Sequence, residues 1–289
     1  MRLLVLLSGF ALLSSAARVE HVVLIGVDGL APAGIESSET PVLHRLRDKG
    51  AWTFHARAVI PTVSSPNWAS MVMGAGPAQH GITSNEWQTD KFEIPPTCKA
   101  VSGLFPSVYD LLKQQRPSAT IGIFHHWDGY ARLVGKGVPT IVEHRKTAPE
   151  TMAEAIAWWK KVRPTFLFVH LDHVDDAGHT YAWESSEFKT AVASADQLIG
   201  DMVAAIDDSG LGSNTLLLVT ADHGGIGKKH GGLTMAELEI PWIAVGPNVR
   251  NAELRNPVDT YDTAATIADA LGLDMPQCWI ARPVKEMWK

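Results

Sequence analysis

Val219–Gly232, V-T-A-D-H-G-G-I-G-K-K-H-G-G, ends an apolar run and opens a loop dense in metal-ligand residue types. Leu216–Val219 reads as a buried strand, and Asp222 and His223 stand side by side where it stops. Glycines at 224, 225, 227, 231 and 232 permit tight turns and close approach of the backbone to a bound group, and His230 returns seven residues after His223. A ligand-rich loop at the carboxyl end of a strand is the usual place for a site in an open α/β sheet.

Two other apolar runs end in the same way. His21–Val27 (H-V-V-L-I-G-V) reads as a first buried strand and stops at Asp28-Gly29. Thr165–Val169 (T-F-L-F-V) reads as another, followed by L-D-H-V-D-D-A-G-H over 171–179. Asp175 and His179 are four apart, so a helical turn puts both on one face, where they present an oxygen and a nitrogen to one metal. Asp172, His173 and Asp176 are polar residues outside the ligand set.

Parallel strands share direction, so these strand ends converge on one sheet edge. Asp28, Asp175, Asp222, His179, His223 and His230 then supply enough ligands for two metals with three protein ligands each, leaving room for substrate. Mixed nitrogen and oxygen ligation without thiolate suits zinc, with manganese as the alternative.

The segment I-P-T-V-S-S-P-N-W-A-S-M-V-M-G, 60–74, predicts a helix to about Met73 with Pro66 in its first turn and Ser64 and Ser65 at its amino end. Helix amino ends favour anions; a serine there serves as a cap, or becomes a nucleophile when a metal activates its hydroxyl. H-G-I-T-S-N, 80–85, ends in Asn85, an amide donor placed either in a turn or against a phosphoryl oxygen. Further helices are expected from Thr40 to Gly50, near Ser107–Gln115, Ala148–Lys161, Ser185–Asp208 and Thr260–Leu271, and further strands around Trp52–Ala58, Thr120–Phe124 and Trp242–Val245. The irregular stretch 90–145 is expected to complete the α/β layer and to form a rim over the site.

The chain has 289 residues, 46% of them hydrophobic and 19% charged, enough for a sizeable core. A net charge of −6 with scattered basic residues gives no footprint for nucleic-acid binding, so a nucleotide enters only as substrate. Arg2, the apolar run Leu3–Leu13 and Ser14-Ser15-Ala16-Ala17 form a secretory leader, with cleavage expected after Ala17. The run is too short for a stable span of the roughly 20 residues a bilayer needs, although an uncleaved leader would anchor the chain. Cys98 and Cys278 lack metal-site spacing; an oxidising compartment permits them to pair, and the sequence leaves the pairing open.

Taken together, V-D-G at Asp28, V-S-S-P-N-W followed by H-G-I-T-S-N, D-D-A-G-H from Asp175, and A-D-H-G-G followed by K-H-G-G resemble the alkaline phosphatase superfamily, in particular its type I phosphodiesterase/nucleotide pyrophosphatase branch. The motifs run in that family's order and span nearly all of 18–289. The resemblance implies a three-layer alkaline-phosphatase-like sandwich, with a mostly parallel central sheet flanked by helices, as one catalytic domain. It implies a secreted hydrolase of small phosphate esters with two zinc ions and a phospho-serine intermediate. Ser64 becomes the nucleophile and Asn85 the oxyanion donor. One ion falls to Asp175, His179 and His230, the other to Asp28, Asp222, His223 and Ser64.

The chain departs from that pattern at three points. Ser65 stands where an aromatic commonly stacks a base, His170 stands where a Tyr is common, and the long insertion before the last His is missing. A phosphomonoesterase on the same core is the alternative; Arg132, Lys228 and Lys229 are candidates for the extra positive charge it would use. Trp87, Trp127, Tyr130 and Trp183 are candidates for a replacement stacking surface. A sulfatase would need an arginine that the S-S-P-N-W segment lacks, and a non-catalytic binding protein would not need the complete ligand set.

Overall fold

The computed structural model describes residues 18–289, and the expected leader lies outside them. The strands are β1 (His21–Val27), β2 (Ala51–Arg57), β3 (Ile121–His125), β4 (Ile141–His144), β5 (Phe166–Leu171), β6 (Thr215–Thr220), β7 (Glu239–Val245) and β8 (Ala252–Glu253). Among the described residues they form one eight-stranded sheet in the order β4-β3-β5-β1-β6-β7-β2-β8. β7 alone runs against its neighbours, so the sheet is mostly parallel, as expected.

The helices are α1 (Pro32–Ser37), α2 (Pro41–Lys49), α3 (Ser64–Met73), α4 (Pro77–His80), α5 (Val108–Gln115), α6 (Ala148–Val162), α7 (His173–Tyr181), α8 (Ser186–Asp208), α9 (Met235–Leu238) and α10 (Asp262–Ala270). α8 packs with α1, α2, α6 and α7, while α3, α5 and α10 pack together as a second layer. β1, β5 and β6, the central strands, are buried on both faces, which is why they read as unbroken apolar runs. None of the described helices is long and apolar enough to cross a membrane.

Segment 90–145 contributes α5, β3 and the edge strand β4 as well as loops. β4 was not anticipated, because its side chains alternate only between half-buried and exposed. The two cysteines form the disulfide Cys98–Cys278, which ties the chain before α5 to the chain after α10.

Long-range polar contacts fix the helices to one another. The buried Asp196 carboxylate, on α8, accepts the Val42 and Leu43 N–H groups at 3.0 and 2.7 Å and so caps the amino end of α2. Asp196→Ala should cost about 2 kcal/mol in urea denaturation, with Asn recovering part of it. A variant as stable as the parent would show that the capping contact contributes nothing.

Candidate metal centre and nucleophile

Three parallel strands deliver the ligand types to one place. Register pairs Val27 with Leu171 and Gly26 with Thr220, so β1, β5 and β6 end level, and Asp28, α7 and the Asp222-His223 loop follow at one edge. Gly29 turns the chain at φ 69°, and a Cβ there would lie 3.0 Å from the Asp175 Cα. The V-D-G glycine therefore serves both the left-handed turn and the approach of two ligand segments. Gly26 instead makes room for an aromatic ring. A Cβ there would lie 2.4 Å from the ring of Trp68, which crosses β1 from α3 and donates from Nε1 to Asp28 Oδ2 at 3.0 Å.

The carboxylates converge without enough donors to satisfy them. Asp28, Asp175 and Asp222 are 1%, 9% and 0% exposed, and Asp28 Oδ1, Asp175 Oδ1 and Asp222 Oδ2 accept no hydrogen bond. Burial and the neighbouring charges of Asp28 and Asp175 push Asp222 well above the ordinary carboxylate range. Burial would also raise Asp28, but the hydrogen bond from His170 and the nearby imidazoles outweigh it and hold Asp28 at about 2. Ionising Asp222 beside Asp28 therefore calls for a cation among these groups.

The three histidines present matching atoms. Each has Nδ1 on a backbone carbonyl: His179 on Lys228 at 3.1 Å, His223 on Gly224 at 2.9 Å and His230 on Thr62 at 2.8 Å. A carbonyl can only accept, so each Nδ1 carries a proton and Nε2 is the nitrogen left to a cation, its lone pair available once any second proton is displaced. Those Nε2 atoms point inward. His179 Nε2 lies 3.3 Å from Asp175 and 3.0 Å from His230 Nε2, and His223 Nε2 lies 3.4 and 3.2 Å from Asp28 and Asp222. The hydrogen bond with Asp175 raises His179 to about 9, placing a proton where a cation would compete with it. Burial, then the proximity of His230, lowers His223, which keeps it neutral.

Asp175, His179 and His230 can hold one ion, and so can Asp28, Asp175 and His223; in each group the ligand atoms lie within 4.8 Å of one another. Asp222 joins the latter set through His223 Nε2. The orphaned buried oxygens and the inward lone pairs fit divalent cations.

Ser64 opens α3, and its Oγ lies 3.5 Å from His223 Nε2. Asn85 Oδ1 accepts the Ser65 N–H at 2.8 Å, which turns Nδ2, the donor end, away from that contact. Arg132 donates to the Asn85 carbonyl at 2.9 Å, and Lys228 donates to the Thr180 carbonyl in the last turn of α7 at 2.7 Å, so both cations are engaged by backbone, while Lys229 is exposed. Trp87, Tyr130 and Trp183 are buried packing residues, leaving Trp127, half-buried, as the aromatic of that group open to a ligand.

Several supporting residues were not visible in the sequence. Asn67, in S-S-P-N-W, accepts the Val59 N–H at 2.7 Å and donates to the Pro61 and Val63 carbonyls at 3.0 Å each, fixing the strap before Ser64. Thr62 holds His230 and Gly231. β5 also runs two residues beyond Val169, taking His170 into the sheet and against Asp28. Asn67 carried a signal in its place in the motif, and His170 in standing where a Tyr is common; the contacts of His170 and the role of Thr62 depend on distant partners.

The sequence profile of the type I phosphodiesterase/nucleotide pyrophosphatase family matches residues 22–230. The chain belongs to this family. Over 197 residues it is 27% identical to mouse ectonucleotide pyrophosphatase/phosphodiesterase family member 1, a match covering 64% of this chain and 21% of that protein. The chain thus spans about a fifth of that relative's length. Murine ectonucleotide pyrophosphatase/phosphodiesterase 5, solved as an inactive variant with AMP, superposes at TM-score 0.75 with 16% identity, covering 93% of this chain and all of that one. Alkaline phosphatase PafA superposes at 0.78 with 12% identity, covering 95% of this chain and 100% of the other. This family member therefore has the alkaline phosphatase superfamily fold, and its Asp/His clusters lie at one edge of the central sheet.

Proposed function

We propose that this family member is a secreted phosphodiesterase of the nucleotide pyrophosphatase type, a single catalytic domain over 18–289 that holds two zinc ions and works through a phospho-serine at Ser64. The observation that carries this reading is the convergence of three imidazole lone pairs and three under-satisfied buried carboxylates beside a serine that starts a helix. Secretion is supported by the leader sequence and by the Cys98–Cys278 disulfide.

Asp175, His179 and His230 would hold one ion, and Asp28, Asp222, His223 and Ser64 the other. Bound there, the ions supply Lewis-acid charge that favours ionisation of the Ser64 hydroxyl and offsets charge on the transferring phosphoryl group. Ser64 Oγ gives up its proton to solvent and forms an O–P bond in line, while the ester oxygen departs with its bonding pair and is protonated from solvent. Asn85 Nδ2 donates to an equatorial oxygen as charge builds there. Water then attacks phosphorus, and Ser64 Oγ leaves with the bonding pair and is reprotonated.

Thermal melting checks the metal. With zinc at about 100 times each dissociation constant, two ions should add about 5 kcal/mol and raise Tm by on the order of 10 °C or more. Calcium should do far less, since imidazole suits zinc better. An unchanged melting curve would count against the centre.

Turnover checks the substrate class. With Arg132 and Lys228 engaged by backbone carbonyls, the exposed Lys229 is the one candidate cation left to clamp a doubly charged monoester, which favours diesters. kcat/KM for a p-nitrophenyl nucleotide diester should exceed that for p-nitrophenyl phosphate by about 100-fold or more on zinc-loaded protein, a gap of about 3 kcal/mol. The reverse order would keep the metal and nucleophile roles and make the enzyme a phosphomonoesterase.

A further inference from the structure

His170 differs from the other buried histidines of this edge in which nitrogen carries the proton. It is fully buried on β5, beside the rings of Trp68, Tyr130 and Trp127, with centroids 4.8, 5.8 and 6.4 Å away. Its Nδ1 faces the Trp127 backbone N–H at 3.5 Å, and its Nε2 faces Asp28 Oδ2 at 3.3 Å. An N–H can only donate, so Nδ1 accepts and Nε2 carries the proton. Asp28, His170 and Asp172 do group within ligand distance of one another. The Nε2 proton directed at Asp28 makes this grouping a hydrogen-bonded pair with Asp172 beside it, in contrast to the two groupings above.

The consequence falls on Asp28. Its Oδ2 receives two N–H donors, Trp68 Nε1 at 3.0 Å and His170 Nε2 at 3.3 Å, whereas its Oδ1 receives none and lies 3.4 Å from His223 Nε2. We infer that His170 is a positioning residue, which with Trp68 holds the Asp28 carboxylate so that Oδ1 is offered to the ion shared with Asp222 and His223. This role rests on the two-ion reading above. It differs from a ligand role because His170 acts through Asp28, and from a packing role because it needs one N–H donor at one end of the ring.

Two variants separate these possibilities. His170→Phe keeps a planar ring among the aromatics and removes both nitrogens; His170→Gln keeps an N–H donor on a side chain of similar reach. Zinc affinities measured against a chelator should show H170F weakening one of the two ions about 10–100-fold and leaving the other unchanged, with H170Q within about threefold of the parent. The melting temperature of the zinc-free chain serves as the packing control and should be similar in all three.

H170F binding both ions like the parent would overturn the inference. So would equal loss in H170F and H170Q together with a lower zinc-free melting temperature, which would make His170 a packing residue. A parent chain that binds fewer than two ions would overturn the two-ion reading itself, and this role with it; that failure shows before any substitution is made.

Discussion

Replacing Ser64 with alanine is expected to lower kcat by about 10⁴-fold or more while metal content stays near two ions per chain. Ser64 is the first residue of α3 and is 6% exposed, with its Oγ facing the imidazole edge of His223 rather than a backbone carbonyl. Alanine removes the one oxygen that can bond to phosphorus and leaves the helix, whose start is fixed by Asn67. Ser65 is the internal control. Its N–H is engaged by Asn85, and its Oγ is buried without a partner, so Ser65→Ala should retain activity within about tenfold if that hydroxyl is not the nucleophile. Steady-state kinetics with metal analysis on the same samples decides the matter: an active S64A would sink the assignment, and an inactive S65A beside it would move the nucleophile by one residue.

Asp175→Ala should be as damaging for a different reason. Asp175 belongs to the grouping with His179 and His230 and also to the grouping with Asp28 and His223. Removing it should weaken both ions by at least about 100-fold each, because a direct ligand counts for more than the supporting contacts whose loss costs about 10–100-fold. kcat/KM at micromolar zinc should then fall by about 10³-fold or more, with partial recovery at millimolar zinc. Asp28→Ala, by contrast, should cost one ion. The zinc-free D175A chain should melt close to the parent, since the substitution removes a buried carboxylate from beside Asp222 but also the partner of His179. Loss of a single ion in D175A would show that the two sites do not share it, and a large drop in zinc-free stability would make Asp175 structural.

The candidate ligands were legible because each follows an apolar run. The runs ending at Val27, Val169 and Val219 announced strands buried on both faces, and polar residues immediately after them announced a shared edge. Glycines in V-D-G and A-D-H-G-G were legible for the same local reason, since positive φ and close backbone approach leave few other residue types. β4 was illegible because a half-buried edge strand has no such run. The cysteine pairing was illegible because 180 residues separate its members.

What the sequence alone determined was the inventory: the mostly parallel sheet, the order of the motifs, and which carboxylates and imidazoles stand after which strands. The tertiary structure decided the state of each group. Whether a histidine offers a lone pair or a proton depends on what faces its other nitrogen. For His179, His223 and His230 that partner is a carbonyl of Lys228, Gly224 or Thr62, and for His170 it is the N–H of Trp127. Every residue but proline carries both of those backbone groups, so no pattern of side chains records which one a folded chain will turn toward an imidazole.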